Sequence, residues 1–404
     1  MTNNFFCPLP WNHLLFKNGG KVQACCESYR DQFAPEKTIR ATANNKIMRK
    51  LRLELLEPNT VPDMCWKCET REKYQEGFSV RTNSIDMHKK WTEEYARQMT
   101  NADGSVDNFN LEHLDIRWSN LCNYKCRFCG IGSSNLWAKD NDLLHGKGAT
   151  ANAGYDPKSG LQEYDMDWED LKTHLPYVKY CKLAGGEPTI MPGTYQLLEE
   201  LIRIENKEVF ISLVTNATTI KYGKYDLLEL LKHFPYRVRI QLSMEGMGDR
   251  HAWARSGKDD WDQIAKNIDL FTQHAKENKW GLNFHSGISW MNMYHLADFI
   301  LKYPYTQFTL NMVTDPATMS LTNFYKDELE KCSKFYANKI DENKDNTLYV
   351  RKHLAKVKNA IDKALETSNE TIDIDEFKRI HNLLDNSRNQ SFVKAYPEWS
   401  HLYA

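Results

Sequence analysis

The sequence predicts an α/β protein: a partial (β/α)6 barrel that follows a small cysteine-rich module and precedes a helical C-terminal extension. Between residues 111 and 316, short apolar runs alternate with amphipathic stretches, a pattern typical of parallel strands joined by helices. Eight of the ten cysteines lie before residue 130. Seven of them form tight groups in the sequence, and Cys7 precedes the first group. After residue 321 the chain is rich in Lys, Glu, Asp and Asn with helical spacing. We therefore expect a module (1–80), a connecting helix (81–110), a barrel (111–320) and an extension (321–404).

The barrel is predicted from six strands and the helices between them. Six units are too few for a closed eight-stranded barrel but suit an open, TIM-like one. We expect strands at 113–118, 180–184, 209–214, 238–243, 282–288 and 308–312, and helices at 192–204, 226–232, 261–277 and 295–302. Outside the barrel we expect a hairpin turn at 18–20, the connecting helix at 85–98, and a surface insertion rich in Gly, Ala and Asn at 145–165.

Composition excludes several classes of function. The 404 residues carry 53 basic and 54 acidic side chains, a balance without the basic excess that nucleic-acid binding usually requires. We find no apolar stretch long enough to cross a bilayer, and no basic region followed by an apolar run that would mark a signal peptide. We therefore expect a cytoplasmic protein, in which ten cysteines indicate metal or cluster binding rather than disulfides.

The strongest chemical signal is a cysteine loop directly after the first barrel strand. It contains Cys122, Cys126 and Cys129, a C-x3-C-x2-C spacing. Three soft thiolates on one loop suit one face of a cubic four-iron cluster and leave the fourth iron open for a reacting ligand. The alternative is a structural zinc loop.

This loop resembles the signature of the radical S-adenosylmethionine (SAM) superfamily. The resemblance implies that Cys122, Cys126 and Cys129 hold a catalytic [4Fe–4S] cluster whose open iron binds SAM. It further implies that an electron donor such as a flavodoxin or ferredoxin reduces the cluster, and that SAM is then cleaved to a 5′-deoxyadenosyl radical. Phe128 occupies the aromatic place that packs near the adenine in this family.

Motifs at the ends of the next three strands extend the resemblance. Gly185-Gly186-Glu187-Pro188 is similar to the family's Gly-Gly-Glu-Pro motif, which receives the SAM ammonium group. Val214-Thr215-Asn216-Ala217 is similar to a Thr-Asn-Gly motif, and the segment from Ser243 to Gly246 to a Ser-x-Asp-Gly motif. The resemblance thus implies a SAM pocket formed by Phe128, Gly185, Gly186, Glu187, Thr215, Asn216, Ser243, Glu245 and Arg255.

A second set of four thiols lies in the N-terminal module. Cys7, Cys25, Cys65 and Cys68 resemble the start of a SPASM domain or its shorter twitch form, although such modules usually follow the barrel. The resemblance implies a second, auxiliary [4Fe–4S] cluster, and a four-thiolate zinc site remains the alternative. Cys26 is expected not to be a ligand, because adjacent cysteines seldom both reach one cluster.

The function predicted from these features is hydrogen abstraction from an unactivated C–H bond, with a peptide or protein as the first candidate substrate. A dehydrogenase or rearrangement enzyme acting on a small metabolite is an alternative. A non-catalytic iron–sulfur or zinc protein is a third, against which the intact Gly185-Gly186-Glu187 motif and Ser243 argue.

Overall fold

The computed structural model describes residues 5–28, 31–74, 79–257 and 261–403. The strands are β1 His13–Lys17, β2 Lys21–Gln23, β3 His113–Ile116, β4 Tyr180–Leu183, β5 Phe210–Thr215, β6 Lys221–Tyr222, β7 Tyr225–Asp226, β8 Val238–Ser243, β9 Gly281–Ile288 and β10 Gln307–Met312. The helices are α1 Leu9–Asn12, α2 Ile39–Ala43, α3 Lys46–Leu56, α4 Trp66–Tyr74, α5 Val80–Met87, α6 Glu93–Met99, α7 Ala138–His145, α8 Ala149–Asn152, α9 Trp168–His174, α10 Pro192–Arg203, α11 Leu227–Leu231, α12 Gly248–Arg255, α13 Trp261–Asn278, α14 His295–Lys302, α15 Lys326–Glu342, α16 Leu348–Thr367, α17 Ile374–Arg388 and α18 Phe392–Ala395.

The chain divides into two compact units. The first comprises Met1–Asn120, Gln162–Leu213 and Glu229–Val238. The second comprises Leu121–Leu161, Val214–Leu228 and Arg239–Ala404. Each unit therefore draws on three separate stretches of sequence.

The first unit contains strands in the order β5-β4-β3-β1-β2. Strands β1, β3, β4 and β5 run parallel, and β2 returns antiparallel to β1 through the glycine turn at residues 18–20. The hairpin prediction is confirmed, but the sequence did not show that β1 pairs with β3, in the register His13 to His113. The cysteine-rich N-terminus thus contributes two strands to the sheet.

The second unit contains β8, β9 and β10, with β9 between the other two and parallel to both. Helices α15 to α18 follow without a further strand in the described residues. Their core is aromatic: Trp290 stacks on Phe324 with ring centroids 4.7 Å apart, and Phe377, Phe392 and Trp399 surround the pair. Burial of these large rings provides the main apolar stabilisation of the C-terminal extension.

The predicted fold class is confirmed: the protein is α/β, with largely parallel strands in each unit and a helical C-terminus. All six barrel strands form within two residues of the expected bounds. The single helix expected at 85–98 is wrong, because α5 ends at Met87 and α6 begins at Glu93. Thr92 caps α6 by accepting a hydrogen bond from the Tyr95 amide, which starts a new helix at that point. No helix in the described ranges is both long and apolar enough to span a membrane.

Candidate functional site

The cysteine loop lies in the second unit and brings its three thiols together. Cys122 and Cys126 are buried, and Cys129 is exposed. The Cys129 thiol donates a hydrogen bond to the Cys126 sulfur, and this bond, together with the charge of Arg255, lowers the pKa of Cys126 to about 7. Burial opposes this shift but does not outweigh it. One of the three sulfurs is therefore already biased toward the thiolate that iron requires.

Arg255 supplies the positive charge beside this thiol. It ends α12, and its guanidinium Nη1 lies 3.6 Å from the Cys126 sulfur. The other guanidinium nitrogens form a bidentate ion pair with Glu245, at 2.5 Å from Nε to Oε2 and 2.9 Å from Nη2 to Oε1. Both side chains are about nine-tenths buried. Glu245 therefore fixes the direction in which Arg255 presents its remaining N–H groups to the cysteine loop.

The loop backbone is held by side chains that follow it in sequence. The Cys122 amide donates to the Asn135 side-chain oxygen at 3.0 Å, and the Trp137 indole donates to the Cys126 carbonyl at 3.0 Å. Ser134 donates to the Tyr124 carbonyl at 2.5 Å. Because these bonds occupy backbone groups on both sides of Cys126, the loop has little freedom to rearrange.

A buried arginine inside the loop joins it to helix α17. The Arg127 side chain is fully buried and lies 4.0 Å from the ring centroid of Trp253. Its guanidinium donates to Asp385, to His381 Nδ1 at 3.1 Å and to the Gln390 side chain at 2.9 Å. Burial lowers the pKa of Arg127 to about 10, so it remains charged at neutral pH. Sequence reasoning missed this contact, since the partners are more than 250 residues apart.

A second ion pair joins α17 to helix α7. Arg388 Nη2 lies 3.1 Å from Asp140 Oδ2, and both side chains are almost completely buried. Arg388 also donates to the Lys125 carbonyl and to the Ser256 hydroxyl, each at 2.9 Å. Helix α17 therefore contacts the cysteine loop at residues 125 and 127, on either side of Cys126.

The end of β5 also contacts the loop. Asn216 donates its side-chain N–H to the Asn123 side-chain oxygen at 2.8 Å, and Asn123 donates to Thr218 at 2.7 Å. Thr215 accepts a hydrogen bond from the Ala217 amide. Ala217 takes a φ of 63°, the left-handed conformation that suits the glycine at this place in the family motif. The motif geometry is therefore retained in spite of the Ala.

Ser243 and Phe128, the other expected pocket residues of the second unit, are each partly buried. Ser243 is the last residue of β8, two residues before Glu245. Asn292 donates to the Glu245 carbonyl at 3.1 Å and to the Gly287 carbonyl at 2.9 Å. This asparagine thus anchors the segment that carries Glu245.

The Gly-Gly-Glu-Pro motif lies in the first unit, after β4. Gly185 has a φ of 125°, and a Cβ there would lie 3.2 Å from both Arg117 Cβ and the Ser119 carbonyl. Only glycine fits this close backbone approach. Glu187 is buried, and its Oε1 accepts hydrogen bonds from the Thr189 amide and hydroxyl at 3.1 and 2.7 Å. The turn is thus built around an ordered carboxylate.

The N-terminal thiols of the first unit interact electrostatically with one another. Burial raises the pKa of Cys65, and the nearby thiols of Cys7 and Cys68 raise it further. Burial, the adjacent Cys26, and then Cys7 and Cys65 raise the pKa of Cys25 well above its ordinary value. Cys65 thus interacts with Cys7, Cys25 and Cys68, and a single ligand set formed by Cys7, Cys25, Cys65 and Cys68 stays a prediction.

Cys26 faces a different group of side chains. Burial raises the pKa of its thiol, while Lys182 and Asp115 are the neighbouring charges that act on it most. Within the described part of the chain, no three His, Cys, Asp or Glu side chains are arranged to hold a metal ion. The chemistry of the loop thiols nevertheless fits an iron–sulfur cluster, because they are soft donors and one has a lowered pKa beside a cation.

Comparisons with known proteins match the central part of the chain to one family. A family model described as the Radical SAM superfamily matches residues 116–300, which include the cysteine loop. Similar solved structures are anSMEcpe with bound AdoMet (19% identity, 55% of this chain and 57% of that one, TM-score 0.37) and SuiB of Streptococcus suis (15%, 82% and 68%, 0.35). The chain thus spans little more than half the length of anSMEcpe. No curated protein matches it. Residues 116–300 therefore match the Radical SAM superfamily, and this match covers the cysteine loop and the strands that follow it.

Proposed function

We propose that the protein cleaves SAM at a [4Fe–4S] cluster held by Cys122, Cys126 and Cys129 and uses the product to abstract hydrogen from a substrate. The observation that carries this proposal is the Arg255 guanidinium 3.6 Å from the Cys126 sulfur, beside a thiol whose pKa is about 7. A bound cluster would supply the single electron that reductive cleavage of SAM requires.

The protein's own residues would hold and tune this centre. Arg255 stabilises negative charge on the Cys126 sulfur, because its N–H group points at that atom from a buried position. Glu245 keeps Arg255 in place through two hydrogen bonds. Arg127 positions the loop through Asp385 and does not point its charge at solvent, since its side chain is fully buried. These contacts favour a loop geometry that exists before the cluster is bound.

For SAM itself, we propose the residues that the family resemblance assigns. Glu187 provides a carboxylate for the ammonium group, and Gly185 and Gly186 provide backbone that a ligand can approach closely. Phe128 provides an aromatic face for the adenine. The polar side chains at the ends of β5 and β8 complete the set: Thr215, Asn216 and Ser243.

The N-terminal thiols support a second proposal about cofactors. Cys7, Cys25, Cys65 and Cys68 would hold an auxiliary [4Fe–4S] cluster, with zinc as the alternative occupant of a four-thiolate set. An external reductant such as a flavodoxin or ferredoxin would supply electrons. A peptide or protein is our first candidate substrate.

The test is anaerobic reconstitution followed by measurement of iron and of 5′-deoxyadenosine after reduction in the presence of SAM. We expect about eight irons per chain if both sets hold clusters and about four if only the loop does. Cys126→Ala should abolish 5′-deoxyadenosine formation. Cys332→Ala is the control, since this buried thiol on α15 is remote in sequence from both sets. Zinc in the loop and no SAM cleavage by the wild-type protein would refute the proposal.

A further inference from the structure

Three cationic side chains lie at the carboxyl ends of neighbouring parallel strands in the first unit. Lys17 ends β1, Arg117 follows β3, and Lys182 is the penultimate residue of β4. The strands pair in the register Phe16 to Ile116 and Asp115 to Lys182, so Lys17 is level with Arg117, and Lys182 lies diagonally from Arg117 on the same face of the strands. In β/α barrels, the carboxyl ends of the strands form the edge at which ligands bind.

Alternation along the strands separates these charges from the apolar core. Ile116 and Leu183 are completely or almost completely buried. Asp115 and Lys182, each one residue earlier, pair across the two strands and therefore point to the opposite face. A strand in a buried sheet normally places apolar residues on both faces. Charged residues here indicate that this face serves a purpose other than packing.

Asp115 is the carboxylate that lies nearest to Arg117 and Lys182, and one of its two oxygens has no hydrogen bond in the described structure. Lys182 Nζ lies 3.3 Å from Asp115 Oδ2. Arg117 Nε lies 3.7 Å from Asp115 Oδ1, which is too long for a hydrogen bond. Oδ1 and Nε are both buried and have no hydrogen-bond partner in the described structure. The Asp115 side chain is only 3% exposed.

Such an arrangement is unfavourable without a ligand. A buried polar group that lacks a hydrogen-bond partner destabilises the folded protein, because it has lost its hydration without gaining a replacement. An ion pair with a purely structural role would bring Arg117 Nε within hydrogen-bond distance of the carboxylate, as Arg255 and Glu245 do. Arg117 remains 28% exposed, so a ligand can reach its guanidinium.

The group also carries excess positive charge. Lys17, Arg117 and Lys182 outnumber the single carboxylate of Asp115 by two charges. Burial lowers the pKa of Lys17, and the neighbouring positive charges of Arg117 and Lys21 lower it further. The Cys26 thiol borders the same group. An anion would relieve this repulsion.

We propose that these side chains, Lys17, Arg117 and Lys182 around Asp115, form a cationic pocket that binds an oxyanion of the enzyme's substrate, a carboxylate or a phosphate. The planar guanidinium of Arg117 suits two oxygens of either group, and Lys182 adds a point charge. Asp115 holds both cations in position. The inference rests on the proposed function, because it assumes a substrate for the radical reaction.

The test measures binding of inorganic phosphate and of malonate to the reconstituted protein by isothermal titration calorimetry. We expect one of the two probes to bind to the wild type. The Arg117→Gln and Lys182→Met variants should each weaken that binding by at least about tenfold, since each removes a charge-assisted hydrogen bond. Binding of phosphate alone would assign a phosphate, and binding of malonate alone a carboxylate. Lys179→Gln, a change of the same charge at the amino end of β4, should leave binding unchanged.

Three results would overturn the inference. The first is that neither probe binds the wild type, and the second is that the variants bind the probe as tightly as the wild type does. The third is that saturating SAM abolishes probe binding, which would assign the pocket to SAM. If Arg117→Gln does not fold, Arg117→Lys serves instead, because it keeps the charge but loses the planar fork, and weaker binding is again expected. Cleavage of SAM by the same wild-type preparation is measured separately. Its failure would count against the proposed function, whatever the probes do.

Discussion

Replacing Asp385 with alanine tests whether helix α17 holds the cysteine loop in place. In the wild type, Asp385 pairs with Arg127, which lies between two cysteines of the loop. It also accepts hydrogen bonds from the Trp253 indole at 2.8 Å and from the Phe392 amide at 2.7 Å. The change therefore leaves a buried guanidinium without its carboxylate and two N–H donors without their acceptor.

The size of the effect follows from burial. The Arg127 side chain has no exposed surface, so water cannot replace the carboxylate. Removing one partner of a buried ion pair costs about 3–5 kcal/mol. His381 and Gln390 still accept hydrogen bonds from Arg127, which favours the lower end of that range. We therefore expect a loss of about 3–4 kcal/mol, a large part of the 5–15 kcal/mol typical of a folded domain.

The assay is urea unfolding followed by tryptophan fluorescence, combined with iron content after reconstitution. We expect Asp385→Ala to lower both the free energy of unfolding and the iron bound per chain. Asp385→Asn keeps an acceptor for Trp253 and should fall between alanine and the wild type. Asp375→Ala, an exposed acid in the first turn of the same helix, should cost less than about 1 kcal/mol. If Asp385→Ala costs no more than Asp375→Ala, the role assigned to α17 is wrong.

Three further changes test other parts of the second unit. Glu245→Gln leaves the buried Arg255 without an anion and should lower the free energy of unfolding by about 3 kcal/mol in urea. Gly257→Ala would place a Cβ 1.7 Å from the Tyr124 ring, so we expect a loss of at least about 1–3 kcal/mol and reduced iron binding. Burial lowers the pKa of His295 to about 4, so the unfolded chain takes up a proton first as the pH falls below about 6.5. Wild-type stability should therefore decrease from about pH 6.5 to about pH 4, and His295→Gln should decrease less, by up to about 1.4 kcal/mol per pH unit. An equal pH dependence in both proteins would contradict the His295 assignment.

Much of the fold could be predicted because its signals are local. The alternation in 180–184 and the helical spacing in 192–204 each depend on neighbours within a few residues, and β4 and α10 form there. The turn at 18–20 was equally local, since two glycines with positive φ suffice to reverse the chain. The break between α5 and α6 was missed because the helical pattern does not reveal the new cap at Thr92.

The candidate site also has one part that local sequence predicts and another part that it does not predict. The spacing of Cys122, Cys126 and Cys129 was visible because one short loop supplies all three ligands. The bidentate pair between Arg255 and Glu245 was not expected, although both residues had been singled out for the SAM pocket.

The sequence by itself determined the cysteine loop, the positions of the six barrel strands and the resemblance of the loop to the radical SAM signature, because each depends on residue types at short, fixed spacings. Only the tertiary structure decided that Arg127 pairs with Asp385, that β1 lies beside β3, and that Asp115 pairs with Lys182. These contacts join residues separated by tens to hundreds of positions. Local patterns leave such pairings open, since packing and burial of charge select among many partners that would suit the sequence equally well.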